Sequence, residues 1–535
     1  MTDEVSEPHE PRRGRWSARL GPWMERALAA SVWVVIAVGT YYRWFRLGAR
    51  GFTRDELYSA ISASTSPNLL ALYQDWVTSD THPPLYYSLL HLWFKVAPVT
   101  EWWTRMPSAL ASTATLVYAW VATRQVLGPV PRALLVALLA TSYNLLFYAQ
   151  EARPYSFLVL MMLISMHRWL VLLDRLREGQ PRRRDWALFA VASLLLGYFH
   201  YYGFLTALAM HGGLGLVVLL GRKPWRGWLA GLMVLLVGYL PVYKLVYDVT
   251  RTGWGFWQPR YPWGSFWISY TERALFLDSW PTWSYLAGLG ALAVIGLVLG
   301  RLLHGRWPSG SWHPTRPLPA ITLLMVVLVA ALVVMYQFSP SLQDRYLLIL
   351  APPLFVWLGL VLERVGHGLP RLAIAAAVLV TLWGMSGYMD YYQKTVKQGW
   401  REAVAWVGRL PAMPDRRLVI LGPRGDKTAL QYMQEAAVDD YFYVRNHAFF
   451  DYYFRAQGFD ELADGLERCP NTAADVLAVL DQATAAGDRE VIFLGGHHLK
   501  IDKPALAEIE AHGYRHQYKT YKSTRIYRFN LSSKR

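Results

Sequence analysis

Two adjacent acids, Asp55 and Glu56, stand in the polar segment 47–107, which separates two apolar runs. Carboxylates beside a membrane helix are candidates for a general base or for metal ligands, because both roles need an anionic oxygen that a substrate or cation can reach. The same pair could equally be solvated loop acids, or acids at a helix N-terminus, where the helix dipole favours negative charge. The pattern therefore predicts Asp55 and Glu56 as candidate catalytic residues, while a purely structural role at a loop or helix start stays open.

Further candidates stand at the ends of other apolar runs. His82 precedes Pro83-Pro84, a pair that fixes the start of a helix, so the histidine could belong to a site or could cap a turn. Glu151 and Arg153 occupy a short segment after an apolar run, where charged groups must face protein, water or each other. Glu151 is thus a third catalytic candidate, and the alternative is a structural ion pair with Arg153.

Aromatic residues and one more arginine complete the set. His200 lies within the aromatic segment 198–202, which could line a sugar or lipid site or could form part of an interfacial aromatic belt. Arg345 opens an apolar run, where a guanidinium suits a lipid phosphate but could also be an ordinary snorkelling arginine. The candidate residues for binding a sugar, a lipid or its phosphate are Arg345, Arg153, His82, Tyr155, His200 and Tyr202.

Long apolar runs must position these segments. A bilayer core needs roughly 20 apolar residues per helix, and about eleven runs approach that length. They are 27–46, 108–126, 132–149, 155–174, 186–202, 203–220, 227–246, 282–303, 318–338, 346–363 and 371–389. The run 83–96 is shorter and begins with two prolines, and counting it as a span would place the arginine-rich segment 175–184 on the outer side. We therefore expect a helix that lies at the outer interface.

The arginines between the runs predict the orientation. If the basic tail 1–26 is cytoplasmic, the arginine-rich connections at 124–132, 175–184, 222–226, 301–316 and 364–371 all face the cytoplasm. The few outer cations stand mostly beside an acid: Arg105 near Glu101, Arg153 near Glu151, and Arg345 next to Asp344. All five candidate segments then fall on the outer face. The predicted location is the cell (inner) membrane.

Composition supports a membrane protein. Hydrophobic residues make up 54% of the 535 residues and charged residues 17%, so the net charge of +16 belongs to short loops rather than to a nucleic-acid-binding surface. The 25 Trp and 33 Tyr suit both the headgroup region and sugar-binding clefts. A single cysteine, Cys469, excludes an intramolecular disulfide.

The tail 391–535 differs in composition, since its acids and bases nearly balance. Short β-branched and aromatic runs at 418–422, 491–495 and 525–529 predict strands, and 401–407 and 473–485 predict helices. We expect a soluble α/β domain on the outer side, following a transmembrane domain over 27–390.

Five ordered motifs resemble the GT-C glycosyltransferases, and more narrowly the bacterial branch related to protein O-mannosyltransferases and to the aminoarabinose transferases of lipid A. The motifs are Arg54-Asp55-Glu56-Leu57-Tyr58-Ser59, His82-Pro83-Pro84-Leu85-Tyr86-Tyr87, Arg105-Met106-Pro107-Ser108-Ala109-Leu110, Gln150-Glu151-Ala152-Arg153-Pro154-Tyr155 and Asp344-Arg345-Tyr346-Leu347. They cover 27–390. Trp400-Arg401-Glu402-Ala403 also resembles the entry to the soluble domain of such proteins.

The resemblance implies a sugar donor carried on a polyprenyl phosphate, and a catalytic acid in the first outer loop, where Asp55 stands. Asp55 would accept the proton of the acceptor hydroxyl, while Arg345, with Arg153, would face the leaving phosphate. One direct displacement would invert the anomeric centre. Relatives often have an aspartate where this chain has Glu151. A divalent metal is compatible with the family, and no other cofactor is implied.

The resemblance leaves the acceptor open among an envelope glycan, a lipid and a protein, with membrane lipid as a further partner and no nucleic acid. Two other functional classes remain. A transporter or flippase would place ionisable groups near the middle of the membrane and often has two similar halves, and neither pattern occurs here. A non-catalytic scaffold would require Asp55 to be dispensable.

Overall fold

The computed structural model describes residues 22–77, 82–179, 181–252, 316–338, 344–365, 399–422, 450–496, 500–521 and 524–533. The predicted spans 282–303 and 371–389, most of the basic tail 1–26, and the predicted domain boundary at residue 390 lie outside these ranges.

Helices form the described part of the chain as far as residue 365. In chain order they are α1 (Pro22–Trp44), α2 (Arg54–Thr65), α3 (Leu69–Ala71), α4 (Leu85–Trp93), α5 (Glu101–Val121), α6 (Pro129–Thr141), α7 (Tyr143–Ala149), α8 (Tyr155–Glu178), α9 (Arg183–Phe199), α10 (Tyr201–Leu220), α11 (Arg226–Thr252), α12 (Pro317–Phe338) and α13 (Ala351–Val365). A π-helical turn (Leu72–Trp76) follows α3, and a 3-10 helix (Asp344–Leu350) precedes α13.

Several of these helices have the length and composition of membrane spans. Within the described residues, five segments are long and apolar enough to cross a bilayer, and six if α6 and α7 together form one span. The five are α1, α8, α10, the first part of α11 and the run from Arg345 to Glu363. The structure therefore has the helical architecture of a polytopic membrane protein, and the count of eleven spans stays a prediction.

The segment 83–96 forms only one short helix, α4, of 9 residues. At 1.5 Å per residue such a helix is about 14 Å long, roughly half of a bilayer core. The buried side chains of α4, among them Tyr86, Tyr87 and Leu90, pack against α2. This length agrees with the prediction that the segment does not cross the membrane, and its place at the interface stays a prediction.

The run 132–149, predicted as one span, is broken. Helices α6 and α7 meet at Ser142 with a bend of 62°. The break removes the helical partners of the last α6 carbonyls, and the buried Arg43 of α1 supplies replacements. Its Nη2 donates to the Leu139 carbonyl at 2.8 Å, and its Nη1 donates to the Ala140 carbonyl at 3.4 Å. A side chain from another helix thus stabilises the bend.

A five-stranded sheet organises the described part of the tail. Its strands are β1 (Arg416–Gly422), β2 (Leu466–Pro470), β3 (Glu490–Gly495), β4 (His516–Tyr521) and β5 (Thr524–Asn530), in the order β2-β1-β3-β5-β4. β1 pairs in parallel with β2 and β3, while β5 is antiparallel to β3 and β4. The accompanying helices are α14 (Trp400–Gly408), residues 450–456, α15 (Asp460–Asp464), α16 (Ala473–Ala486) and α17 (Lys503–Ala511). The predicted strands and helices are all present.

The two faces of this sheet pack against different partners. Alternation along β1 and β3 sends Val419 and Val491 towards α16 and α17, and Leu418 and Ile492 towards the opposite face. On that second face the sheet shares one apolar core with α14, residues 450–456 and the segment 47–107, which is the predicted first outer loop. Because this core includes Phe52 and Leu57, the five strands and their accompanying helices, from α14 to β5 (the sheet region), are packed directly against the segment that carries Asp55.

Candidate active site

Helix α2 begins at a capping box, which fixes the position of both acids. Thr53 Oγ1 accepts a hydrogen bond from the Glu56 backbone N–H at 3.3 Å, and Glu56 Oε2 accepts one from the Thr53 N–H at 2.9 Å. This reciprocal arrangement satisfies two backbone donors that a helix start otherwise leaves unpaired. Asp55 consequently lies in the first turn of α2, next to a helix end that favours negative charge.

Glu56 is fully buried and its carboxylate is occupied by structural contacts. Arg105 of α5 approaches it with Nε at 2.6 Å from Oε1 and with Nη2 at 2.9 Å from Oε2. The Ala152 N–H also donates to Oε1 at 2.9 Å. The remaining Arg105 bonds reach the carbonyls of Leu47, Arg50 and Gly51. Glu56 and Arg105 thus join α2, α5, the segment before α2 and the segment 150–154.

Asp55 has a different environment, although it is the neighbour of Glu56 in sequence. Its Oδ2 accepts a hydrogen bond from Arg345 Nη1 at 2.9 Å. The Asp55 side chain keeps 44% of its surface exposed, whereas Glu56 and Glu151 expose 0% and 3%. Of the three predicted catalytic acids, Asp55 is therefore the one whose carboxylate a substrate can reach in this structure.

The charges around Asp55 favour its ionised form. Burial raises the pKa of the Asp55 carboxyl, but the positive charges of Arg345, Arg153 and Arg54 outweigh that effect and hold the pKa below its usual value. The carboxylate is thus anionic at neutral pH. The same three arginines create a positive field in which a second anion, such as a phosphate, would be stabilised.

Arg153 lies behind Asp55 and is itself 95% buried, with 5% of its surface exposed. Its Nη1 donates to the Tyr87 hydroxyl at 2.8 Å and to the Asp55 backbone carbonyl at 3.4 Å. Its Nη2 lies 3.0 Å from His82 Nδ1. The guanidinium therefore connects the segment 150–154 to α2 and α4, and brings its charge close to the Asp55 carboxylate.

An aromatic wall lies beside the ion pair, formed by His82, Tyr155, His200, Tyr202 and Tyr346. His82 Nε2 is 3.2 Å from the Tyr155 hydroxyl, and the His82 and His200 ring centroids are 5.6 Å apart. The His200 ring stacks on Tyr202 at 5.4 Å and contacts Tyr346 at 5.2 Å. The predicted donor-binding residues, which come from four separate segments of the chain, are thus assembled in one place.

His200 is buried, with one ring nitrogen used and one still available among the described residues. As N-cap of α10, its Nδ1 accepts from the Tyr202 N–H at 3.2 Å. Nε2 has no hydrogen-bond partner within the described part of the chain. This buried Nε2 can therefore form a hydrogen bond with a bound ligand.

Glu151 lies on the other side of the α2 N-terminus. Its Oε2 accepts a hydrogen bond from Thr53 Oγ1 at 3.1 Å, the same hydroxyl that caps α2. The side chain is 3% exposed. Glu151 is therefore brought to the site, but its observed contact is with the helix cap two residues before Asp55.

Tyr346 and Arg105 also contribute to the site, although the sequence did not identify them as site residues. Tyr346 stacks on Tyr202 at 5.6 Å, and its ring lies 5.5 Å from the guanidinium carbon of Arg345. Arg105, which lies near Glu101 in the sequence, forms its ion pair with Glu56. The sequence feature that pointed to both residues was their position within the five motifs. Within the described residues no three His, Cys, Asp or Glu side chains gather closely enough to hold a metal ion.

Comparison with solved structures identifies a related fold. The crystal structure of ArnT from Cupriavidus metallidurans in the apo state aligns with a TM-score of 0.52 at 14% identity, over 94% of this chain and 98% of that one. The same protein bound to undecaprenyl phosphate aligns with a TM-score of 0.50 at the same identity and coverage. Neither family models nor curated protein sequences give a match. The chain therefore has the fold of ArnT, and this agrees at the level of fold with the resemblance seen in the sequence motifs.

Proposed function

We propose that this chain is an inverting glycosyltransferase that moves a sugar from a polyprenyl-phosphate donor to an acceptor on the outer face of the cell membrane. The acceptor is an envelope glycan, a lipid or a protein. The observation that carries the proposal is the pairing of an accessible acid, Asp55, with Arg345 at 2.9 Å inside an aromatic-lined site. The fold of ArnT, solved with undecaprenyl phosphate bound, supports the donor class.

The reaction requires two charge changes, and the paired residues match them. The acceptor oxygen attacks the anomeric carbon and loses its proton to the Asp55 carboxylate, which acts as general base. The bond between the anomeric carbon and the phosphate oxygen breaks, and the phosphate leaves with the bonding electrons. Arg345 offers its guanidinium to the oxygen on which negative charge develops. A single displacement of this kind inverts the anomeric centre.

Donor binding would also change the basicity of Asp55. Without donor, Arg345 donates to Asp55 Oδ2 and contributes to the lowered pKa of that carboxyl. A phosphate beside Arg345 would compete for the guanidinium and add negative charge nearby, and both effects raise the pKa of Asp55. A carboxylate with a higher pKa is a stronger base, so donor binding prepares Asp55 for proton abstraction.

The other predicted residues fit supporting roles. Glu56 and Glu151, nominated as catalytic acids, are buried and hold the N-terminus of α2, so we assign them to the positioning of Asp55. Arg153 adds positive charge behind the reacting groups. The aromatic wall offers ring faces to the apolar side of a sugar. Within it, His200 Nε2 can hydrogen-bond a sugar hydroxyl.

The test compares purified wild type with Asp55→Asn in nanodiscs, using a panel of undecaprenyl-phosphate sugars and an envelope extract as acceptor. Free undecaprenyl phosphate is measured by mass spectrometry. We expect release by wild type and a loss of about 100-fold or more in the variant. Asp75→Asn serves as a matched control, because Asp75 is exposed in the same outer loop. Full release by Asp55→Asn would overturn the assignment of the base, and no release by wild type from any donor would overturn the donor class.

A further inference from the structure

The segment that leads into α2, residues 45–53, is held by side chains from distant parts of the chain. Arg105 donates to the carbonyls of Leu47, Arg50 and Gly51 at 2.8, 2.8 and 2.9 Å. Gln150 Nε2 donates to the Phe45 carbonyl at 2.9 Å. Backbone groups of an irregular segment need such partners when they are buried, and here the membrane region supplies part of them.

The sheet region supplies other contacts to the same segment. Arg401 of α14 donates to the carbonyls of Gly48 and Ala49. The Phe52 N–H donates to the Tyr453 hydroxyl at 2.6 Å. Tyr453 is 1% exposed and lies in the apolar core shared by the sheet region and the first outer loop. Two side chains more than 350 residues away in sequence therefore hold this short backbone stretch, at its middle and near its end.

Glu101, at the start of α5, links these two side chains. The Tyr453 hydroxyl donates to Glu101 Oε1 at 3.4 Å, and Arg401 Nη1 lies 3.4 Å from the same oxygen. Tyr453 thus accepts from the segment before α2 and donates to an acid on α5. The contact joins the sheet region, the segment 45–53 and the membrane region at one point.

The position of Phe52 makes this contact relevant to the site. Thr53, the next residue, is the N-cap of α2, and Asp55 lies in the first turn of that helix. A displacement at Phe52 would pass through the cap to Asp55. A shift of about 1 Å in a reacting group can reduce a rate by about 100-fold.

We infer that the sheet region positions Asp55, with Tyr453 and Arg401 as positioning residues that act through the backbone of segment 45–53. The part of this inference that concerns the reaction rests on the proposed function. The sheet region is accordingly part of the machinery that aligns Asp55 with Arg345, whatever acceptor is used.

The first test needs no substrate. Tyr453→Phe removes the hydroxyl that Phe52 N–H contacts and keeps the ring in the shared core. Tyr452→Phe is the matched control, because the Tyr452 hydroxyl donates to the Val99 carbonyl, outside segment 45–53. Hydrogen exchange of peptides covering 45–53 is measured in the full-length protein. We expect faster exchange in Tyr453→Phe only, and equal exchange in wild type and both variants would overturn the inference.

The second test measures turnover of undecaprenyl-phosphate sugars. We expect kcat of Tyr453→Phe to fall about tenfold with KM within about twofold, since alignment rather than donor binding is disturbed. Tyr452→Phe should retain both constants. Equal losses of kcat in the two variants would mean a merely structural role and would overturn the inference.

Thermal unfolding is measured in parallel, and Arg401→Gln provides a second variant in case Tyr453→Phe folds poorly. We expect Arg401→Gln to lower kcat and Arg401→Lys to restore part of it, because a lysine can still donate to one carbonyl. If the wild-type protein releases no undecaprenyl phosphate, the proposed function is contradicted. The exchange measurement would still decide whether the sheet region holds segment 45–53.

Discussion

Arg345 and Asp55 form a hydrogen-bonded ion pair at 2.9 Å although 290 positions separate them in sequence. The pair is partly exposed, with 23% and 44% of the two side chains accessible. Ion pairs of this exposure contribute at most about 1 kcal/mol, because water screens them and the side chains lose conformational freedom. An incoming phosphate can therefore displace Asp55 from Arg345 at little cost, which suits a pair that must separate during each turnover.

The pH dependence of turnover tests this relationship. Asp55 acts as a base when it is ionised, so kcat/KM falls as the pH drops through the pKa of Asp55 in the free enzyme. Arg345 is the strongest of the cations that hold this pKa below its usual value. Removing its charge in Arg345→Gln raises the pKa, and we expect the acid limb of the kcat/KM profile to move to higher pH.

The control for this profile is Arg175→Gln, which removes the same charge in the last turn of α8, at the opposite end of that helix from Tyr155. We expect its acid limb to coincide with that of wild type. An acid limb that stays in place in Arg345→Gln, or moves equally in both variants, would contradict the role of Arg345 as the partner of Asp55.

Much of the site could be predicted because loop charge assigns each segment to one side of the membrane. The segments of Asp55, His82, Glu151, His200 and Arg345 were all placed on the outer face, and the structure brings them together. The orientation rule uses only arginine positions and span lengths, which sequence displays directly. It groups residues by side, and it carries no information on which side chains within a group touch.

Sequence could not separate the roles of Asp55 and Glu56. Consecutive residues of a helix point about 100° apart, so one carboxylate faces the buried Arg105 and the other faces Arg345 and solvent. The same limit applies to Arg105, because its position near Glu101 in the sequence does not reveal its partner. Its actual partner comes from another helix, and Glu101 meets Arg401. Such pairings depend on tertiary packing.

The strands of the sheet region show which elements a local sequence pattern can predict and which it cannot. Strands β1, β3 and β5 carry the apolar and aromatic runs that predicted them, because both faces of the central strands are buried. Edge strand β4 is largely exposed, and edge strand β2 is short and mixes polar with apolar residues. Neither therefore shows the alternation of apolar and polar residues that predicts a strand. The contacts of Tyr453 and Arg401 with segment 45–53 could likewise not be predicted from the sequence, because they form between regions far apart in the chain.

The buried pair of Glu56 and Arg105 is predicted to dominate the stability of the first outer loop. Both side chains are at most 1% exposed, so Arg105→Met leaves an uncompensated carboxylate in the interior. Breaking a buried pair in this way costs about 3–5 kcal/mol. Arg177→Met is the comparison, because Arg177 pairs with Asp174 at 39% and 43% exposure and should cost less than about 1 kcal/mol. Unfolding in detergent measures both, and equal losses would contradict the structural role of Arg105.

The aromatic wall is predicted to bind the sugar rather than the phosphate. Tyr202→Leu removes a ring that stacks on His200 and Tyr346, and the loss of such a contact is worth about 1 kcal/mol, or about fivefold in affinity. We expect KM for an undecaprenyl-phosphate sugar to rise by this factor, while inhibition by undecaprenyl phosphate alone is unchanged. Tyr198→Leu is the control, because the Tyr198 hydroxyl donates to Gly238 and faces α11. Weaker inhibition by undecaprenyl phosphate in Tyr202→Leu would show that the wall holds the phosphate end.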